Sequence, residues 1–104
     1  MPKHGFARKM GWTYLCSDDN SMSFRLYATA DTKKMYPYDF DLTVTYTLKG
    51  NKIIVSHSIK NKNDCVMYFS IGAHPGFNCK IGDYLEFEEN ETLVCEKINP
   101  DSIL

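Results

Sequence analysis

The sequence predicts an all-β fold, an antiparallel β-sandwich, on three observations. Apolar and polar residues alternate with period two in several successive runs. Aromatic residues are abundant, with seven Tyr, six Phe and one Trp in 104 residues, a composition that favours strands. No window of useful length carries an apolar stripe at the 3.6-residue helical period.

The elements follow in order. "GWTYLCS" alternates Trp12, Tyr14 and Cys16 against smaller or polar neighbours, and "SMSFRLYA" does the same with Met22, Phe24 and Leu26. "ATADTKKMYPYDF" reads as a long loop, with Pro37 inside it. "DLTVTYTL" is the cleanest strand, with Leu42, Val44, Tyr46 and Leu48 on one face and Thr43, Thr45 and Thr47 on the other. Lys49 to Asn51 supply turn chemistry, and "KIIVSHSIK" follows with Ile53, Val55, His57 and Ile59 on one face. These two runs predict a hairpin joining Asp41–Leu48 to Lys52–Lys60, with His57 a half-buried packing residue. After a polar turn at Lys60–Asp64, "CVMYFSI" reads as a dense, central strand. "YLEFEE" and the weaker "TLVCEKI" are read as further strands.

Length and charge narrow the function. At 104 residues the chain is sized for a single domain, 1–104. A net charge of -1 gives no reason to expect nucleic acid or an anionic membrane as partner. No apolar run is long enough to span a bilayer as a helix, and the first residues lack the apolar core of a signal peptide. Cys16, Cys65, Cys79 and Cys95 include no CxxC pair, so neither a zinc site nor a redox motif is expected. Four reduced thiols in a cytoplasmic protein, with no metal and no cofactor, is the reading they support.

The stretch that carries chemistry is "SIGAHPGFN", Ser70 to Asn78. Pro75 biases His74 toward an extended backbone. Gly72 and Gly76 would permit close approach of backbone or ligand. An imidazole titrates near neutrality, as acid–base exchange requires.

With "HGFAR" (His4 to Arg8), "YPYDFDLTVTYTL" (Tyr36 to Leu48) and "YLEFEE" (Tyr84 to Glu89) in the same order, this stretch resembles the aldose 1-epimerases, or galactose mutarotases, and their LacX-like branch in particular. The likeness runs over nearly the whole chain. It implies a large β-sandwich, the supersandwich, of which the chain would be a central segment lacking the N- and C-terminal parts. It implies interconversion of the α and β anomers of a free hexose by acid–base ring opening. By the same resemblance His74 is the general acid, and His4 binds and polarises the sugar near its ring oxygen. Arg8, Asn78 and Phe77 are candidate sugar contacts.

The resemblance also exposes a departure. The family's catalytic base is a glutamate from a C-terminal strand, and no residue here matches it. Glu86, Glu88, Glu89 and Glu91 fall on the "LEFEE" strand, which is not the catalytic position, and read as a solvated edge. The isolated chain is therefore expected to be weakly active or inactive. The alternatives are a non-enzymatic carbohydrate-binding module and a self-assembling β-sandwich element. A sandwich missing neighbouring strands is expected to self-associate, as a homodimer or higher.

Overall fold

The structure is a computed structural model that describes residues 4–90 and 92. It divides into two compact units, Met1–Ala73 and His74–Leu104, described separately below.

The first unit is built on one sheet. A 3₁₀ turn at Ala7–Lys9 leads into β1 (Thr13–Ser17) and β2 (Ser21–Tyr27). A short helix α1 (Ala30–Met35) follows, then β3 (Phe40–Lys49) and β4 (Lys52–Asn61). The strands lie in the order β1-β2-β3-β4, every neighbour antiparallel. Two turn devices set the register. Asp18 Oδ1 accepts the backbone N–H groups of Asn20 (2.8 Å) and Ser21 (2.7 Å), closing the β1–β2 connection. Between β3 and β4, Gly50 has φ of 60° while Asn51 is not among the positive-φ residues. That is the type II′ pattern, whose twist matches the flanking strands. β1 carries a bulge between Tyr14 and Cys16.

Directly paired residues share a face. The register therefore puts Phe24, Val44 and His57 in one row, and Leu26, Leu42 and Ile59 in the next. The core forms here: Leu26 is 3% exposed and Val44 and Phe40 are buried with it. A ring cluster holds the Phe40 end. Phe6 lies 6.0 Å from both Tyr36 and Phe40, and Tyr36 lies 5.8 Å from Phe40, centroid to centroid. The opposite face is polar: Ser23 and Thr45 share a hydrogen bond of 2.8 Å, and Arg25 reaches Asp41.

The expected hairpin is present, one residue longer at each outer end than the alternation indicates. Three other expectations need correction. The "ATADTKKMYPYDF" loop contains α1, too short to show a periodic stripe and fixed by its cap. Thr29 Oγ1 accepts from Thr32 N–H, and Thr32 Oγ1 accepts from Thr29 N–H. Thr32 is fully buried. His57 is exposed rather than half-buried, because β4 is an edge strand with almost nothing packed on it. The "CVMYFSI" run forms no strand. Bonds from Asn61 Nδ2 to Cys65 O (2.8 Å) and from Tyr36 Oη to Tyr68 O (2.6 Å) take up two of its carbonyls instead.

In the second unit no strand or helix occurs among the described residues, so "YLEFEE" is not a strand; "TLVCEKI" lies, apart from Thr92, outside them. A turn at residues 80–83 is closed by Asp83, whose Oδ2 accepts from Lys80 N–H at 2.7 Å, with Gly82 at φ 102°.

Candidate functional site

"HGFAR" is held in place by its neighbours rather than by regular structure. Phe6 packs its ring against both Tyr36 and Phe40. Ala7 O accepts the Trp12 indole N–H at 3.0 Å, tying the 3₁₀ turn to the entry of β1. His4 precedes this anchor with φ of 68°, the one non-glycine positive φ among the described residues, and Gly5 follows at 69°. A left-handed histidine costs about 1–2 kcal/mol against an ordinary backbone. Strain of this kind concentrates at functional positions. The imidazole is exposed, and so is Arg8 at the centre of the turn.

His74 opens the second unit. Its backbone belongs to no helix or strand, and His74, Phe77 and Asn78 are all exposed. The sequence-based expectation for the glycines is not met. Neither Gly72 nor Gly76 has a positive φ, and a Cβ on either would meet no atom within 4 Å. The five candidate residues thus fall into two groups, His4 with Arg8 on the first unit and His74 with Phe77 and Asn78 on the second.

Sequence reasoning missed a charged corner of the first unit. Arg25 Nε donates to Asp41 Oδ1 at 2.7 Å and Nη2 donates to Oδ2, a two-pronged pair. The guanidinium lies 5.7 Å from the centre of the Tyr27 ring. Asp39, beside it, is bracketed by Asn63. The Asn63 Oδ1 accepts from Asp39 N–H at 2.9 Å, and its Nδ2 donates to Asp39 O at 2.8 Å. Arg25, Tyr27, Asp39, Asp41 and Lys62 line a shallow, open depression. The hydrogen bond from Arg25 holds the Asp41 carboxyl below its ordinary value of 3.8, against the opposing effect of burial. The signal was available: Arg25 and Asp41 both fall on the polar parity of their strands. Burial raises the Tyr36 phenol above its usual 10.0. A phenol so placed donates, as it does to Tyr68 O.

Among the described residues no three His, Cys, Asp or Glu side chains gather to hold a metal ion. No described helix is long and apolar enough to cross a membrane.

Comparison with known proteins adds three findings. The family described as aldose 1-epimerase matches residues 1–100. The plasmid-borne and chromosomal forms of protein LacX from Lactococcus lactis subsp. lactis are each 37% identical over 108 residues, covering 96% of this chain and 36% of theirs. The crystal structure of a galactose mutarotase related enzyme from Lactobacillus acidophilus superposes with a TM-score of 0.60 at 34% identity, over 62% of this chain and 21% of that one. The chain thus spans about a third of the length of the curated relatives it matches.

Proposed function

The chain belongs to the aldose 1-epimerase family, and from that premise we propose that it carries part of the machinery that interconverts the α and β anomers of a free hexose. A sugar substrate and an isomerase class follow from the family; the particular reaction and its residues are our reading. A mostly antiparallel β fold of galactose mutarotase-like kind underlies it.

The chemistry needs two proton transfers. A general acid protonates the ring oxygen while a base removes the proton of the anomeric hydroxyl. The bond from C1 to the ring oxygen breaks and leaves an open-chain aldehyde. Rotation about C1–C2 presents the other face, and the bond reforms with both protons returned. His74 takes the acid role. His4 lies against the ring oxygen and polarises it. Arg8 and Asn78 bind hydroxyls, and Phe77 offers an apolar surface to the sugar's C–H face. The observation that carries this reading is the family match across residues 1–100, which takes in both histidine motifs.

The same reading assigns no base. Glu86, Glu88 and Glu89 are exposed and belong to no strand. Loss of one positioned proton-transfer group costs about 10²–10⁴ in rate. The isolated chain is therefore weak or inactive while keeping affinity for hexose. The exposed thiols Cys16, Cys65 and Cys79 suit the reducing cytoplasm.

The test pairs binding with turnover. Galactose or glucose is titrated while the His4 and His74 ring resonances are followed, and mutarotation of freshly dissolved α-anomer is followed by polarimetry. Both histidines are expected to shift along one binding curve, with no more than marginal acceleration. Histidines indifferent to either sugar would sink the site. Robust acceleration abolished by His74→Ala would keep the acid role and refute the missing base.

A further inference from the structure

Tyr36 stands where three pieces of the first unit meet. Its backbone is fixed from behind. Pro37 follows it and disfavours the α region, so α1 stops there and Tyr36 takes extended angles, φ -142° and ψ 98°. Its N–H donates to Thr32 O at 2.8 Å, and Thr32 is fully buried. Its side chain then reaches in two directions. The ring packs against Phe6 at 6.0 Å, and Phe40 meets both, at 5.8 Å from Tyr36 and 6.0 Å from Phe6. The hydroxyl donates to Tyr68 O at 2.6 Å.

Each contact reaches a segment that leads in sequence to a candidate histidine. Phe6 follows His4 and Gly5, whose backbones are both left-handed, with φ of 68° and 69°. Such a backbone persists where its surroundings hold it. Phe6, back at φ -105°, is the residue that packs. Tyr68 lies in residues 65–71, which form no strand and continue in sequence to His74. The bond from Asn61 to Cys65 spans four residues and is local, whereas that from Tyr36 to Tyr68 spans thirty-two. The second bond joins the run to a distant part of the chain and so sets where it lies. Packing alone would not call for a hydroxyl at Tyr36, since Phe40 in the same cluster has none. Burial raises that phenol above its usual 10.0, so it keeps its proton and donates throughout the neutral range.

We propose that Tyr36 is a positioning residue for the sugar site: its ring anchors the His4 motif through Phe6, and its hydroxyl anchors, through the Tyr68 carbonyl, the run that continues to His74. The proposal rests on the sugar-binding role given above to the two histidines. Tyr36 itself moves no proton and contacts no sugar; it acts through the backbone of its two neighbours.

The experiment separates the two arms in the whole chain, with galactose as the probe. Tyr36→Phe keeps the ring and removes the hydroxyl. In the sugar-free chain it is expected to shift the Phe69 amide, which shares a peptide plane with the Tyr68 carbonyl, and the His74 ring resonances. The His4 ring and the β4 amides are expected to stay. Phe6→Leu trims the ring contact and is expected to shift the His4 ring instead. Each variant is expected to weaken galactose binding about fivefold, as for the loss of one ordinary hydrogen bond or contact. Strand circular dichroism is expected to be unchanged. Its loss in Tyr36→Phe would make the hydroxyl a requirement of folding and overturn the positioning role. A His74 ring indifferent to Tyr36→Phe overturns the proposal, and so does undiminished affinity in that variant when the wild type binds. A wild type blind to galactose removes the sugar site and the proposal with it, so the wild-type titration tells the two failures apart.

Discussion

Asp41 is the most strongly directed charge in the described structure. Two prongs of Arg25 hold its carboxylate, and Lys60 and Lys62 add weaker attraction. Its folded pKa lies below the ordinary 3.8. The stabilisation is therefore fully present above that value and lost as pH falls through the folded pKa. Carboxyl titration by NMR is expected to give Asp41 a midpoint below the ordinary 3.8. Asp41→Asn is expected to remove part of the loss of stability between about pH 4 and pH 2, read as the change in urea midpoint. Equal acid sensitivity in the variant and the parent would mean that the pair is an idle surface contact. His4 differs in kind. Its positive φ leaves no trace in residue type, so its backbone was invisible in the sequence, although its candidacy was not.

At the scale of elements, α1 hangs on its cap. Six residues are too few to hold a helix in water without tertiary support. The reciprocal Thr29–Thr32 bonds satisfy two backbone N–H donors at its start, those of Thr29 and Thr32. Thr29→Ala is expected to cost about 1 kcal/mol locally, and so to speed amide exchange at Lys33 and Tyr36 about fivefold. Those two N–H groups close the helix on Thr29 O and Thr32 O. Unchanged exchange there would show the helix to be held by its packing alone. This element also marks where legibility ended. The β3–β4 hairpin could be read because period two runs without a break on both sides of Gly50, and because a glycine at that loop position fits one turn type. Gly50→Val forces a β-branched residue to φ 60° and is expected to destabilise the hairpin by at least about 1 kcal/mol in a urea titration. Residues 65–71 misled because apolar content reports a wish for burial and not a neighbour to pair with. β3 is flanked by β2 and β4, and two of the run's carbonyls are taken by Asn61 and Tyr36. The site was legible only as motifs. Two histidine motifs can be recognised in a string of letters, but the backbone that holds them, such as the positive φ of His4, cannot.

Over the whole molecule, the core is small for the length of chain. Among the described residues only Leu26, Phe40 and Val44 are buried apolar side chains, and large side chains on the same face stand in water. If a second copy of the chain covers the exposed half of this face, those side chains gain burial. Folding and association are then linked by mass action. Raising the chain concentration a hundredfold stabilises the dimer by about 2.7 kcal/mol against two unfolded chains. Shared between two chains of this size, that moves the thermal midpoint up by several degrees. Melts followed by strand circular dichroism at about 2 and 200 µM are expected to differ by that shift, and Ile53→Lys is expected to melt lower with a smaller dependence on concentration. A midpoint that does not move across the hundredfold range would mean that the sheet stands without a partner, and that the exposed tyrosines and aliphatic residues of its bare half are tolerated in water.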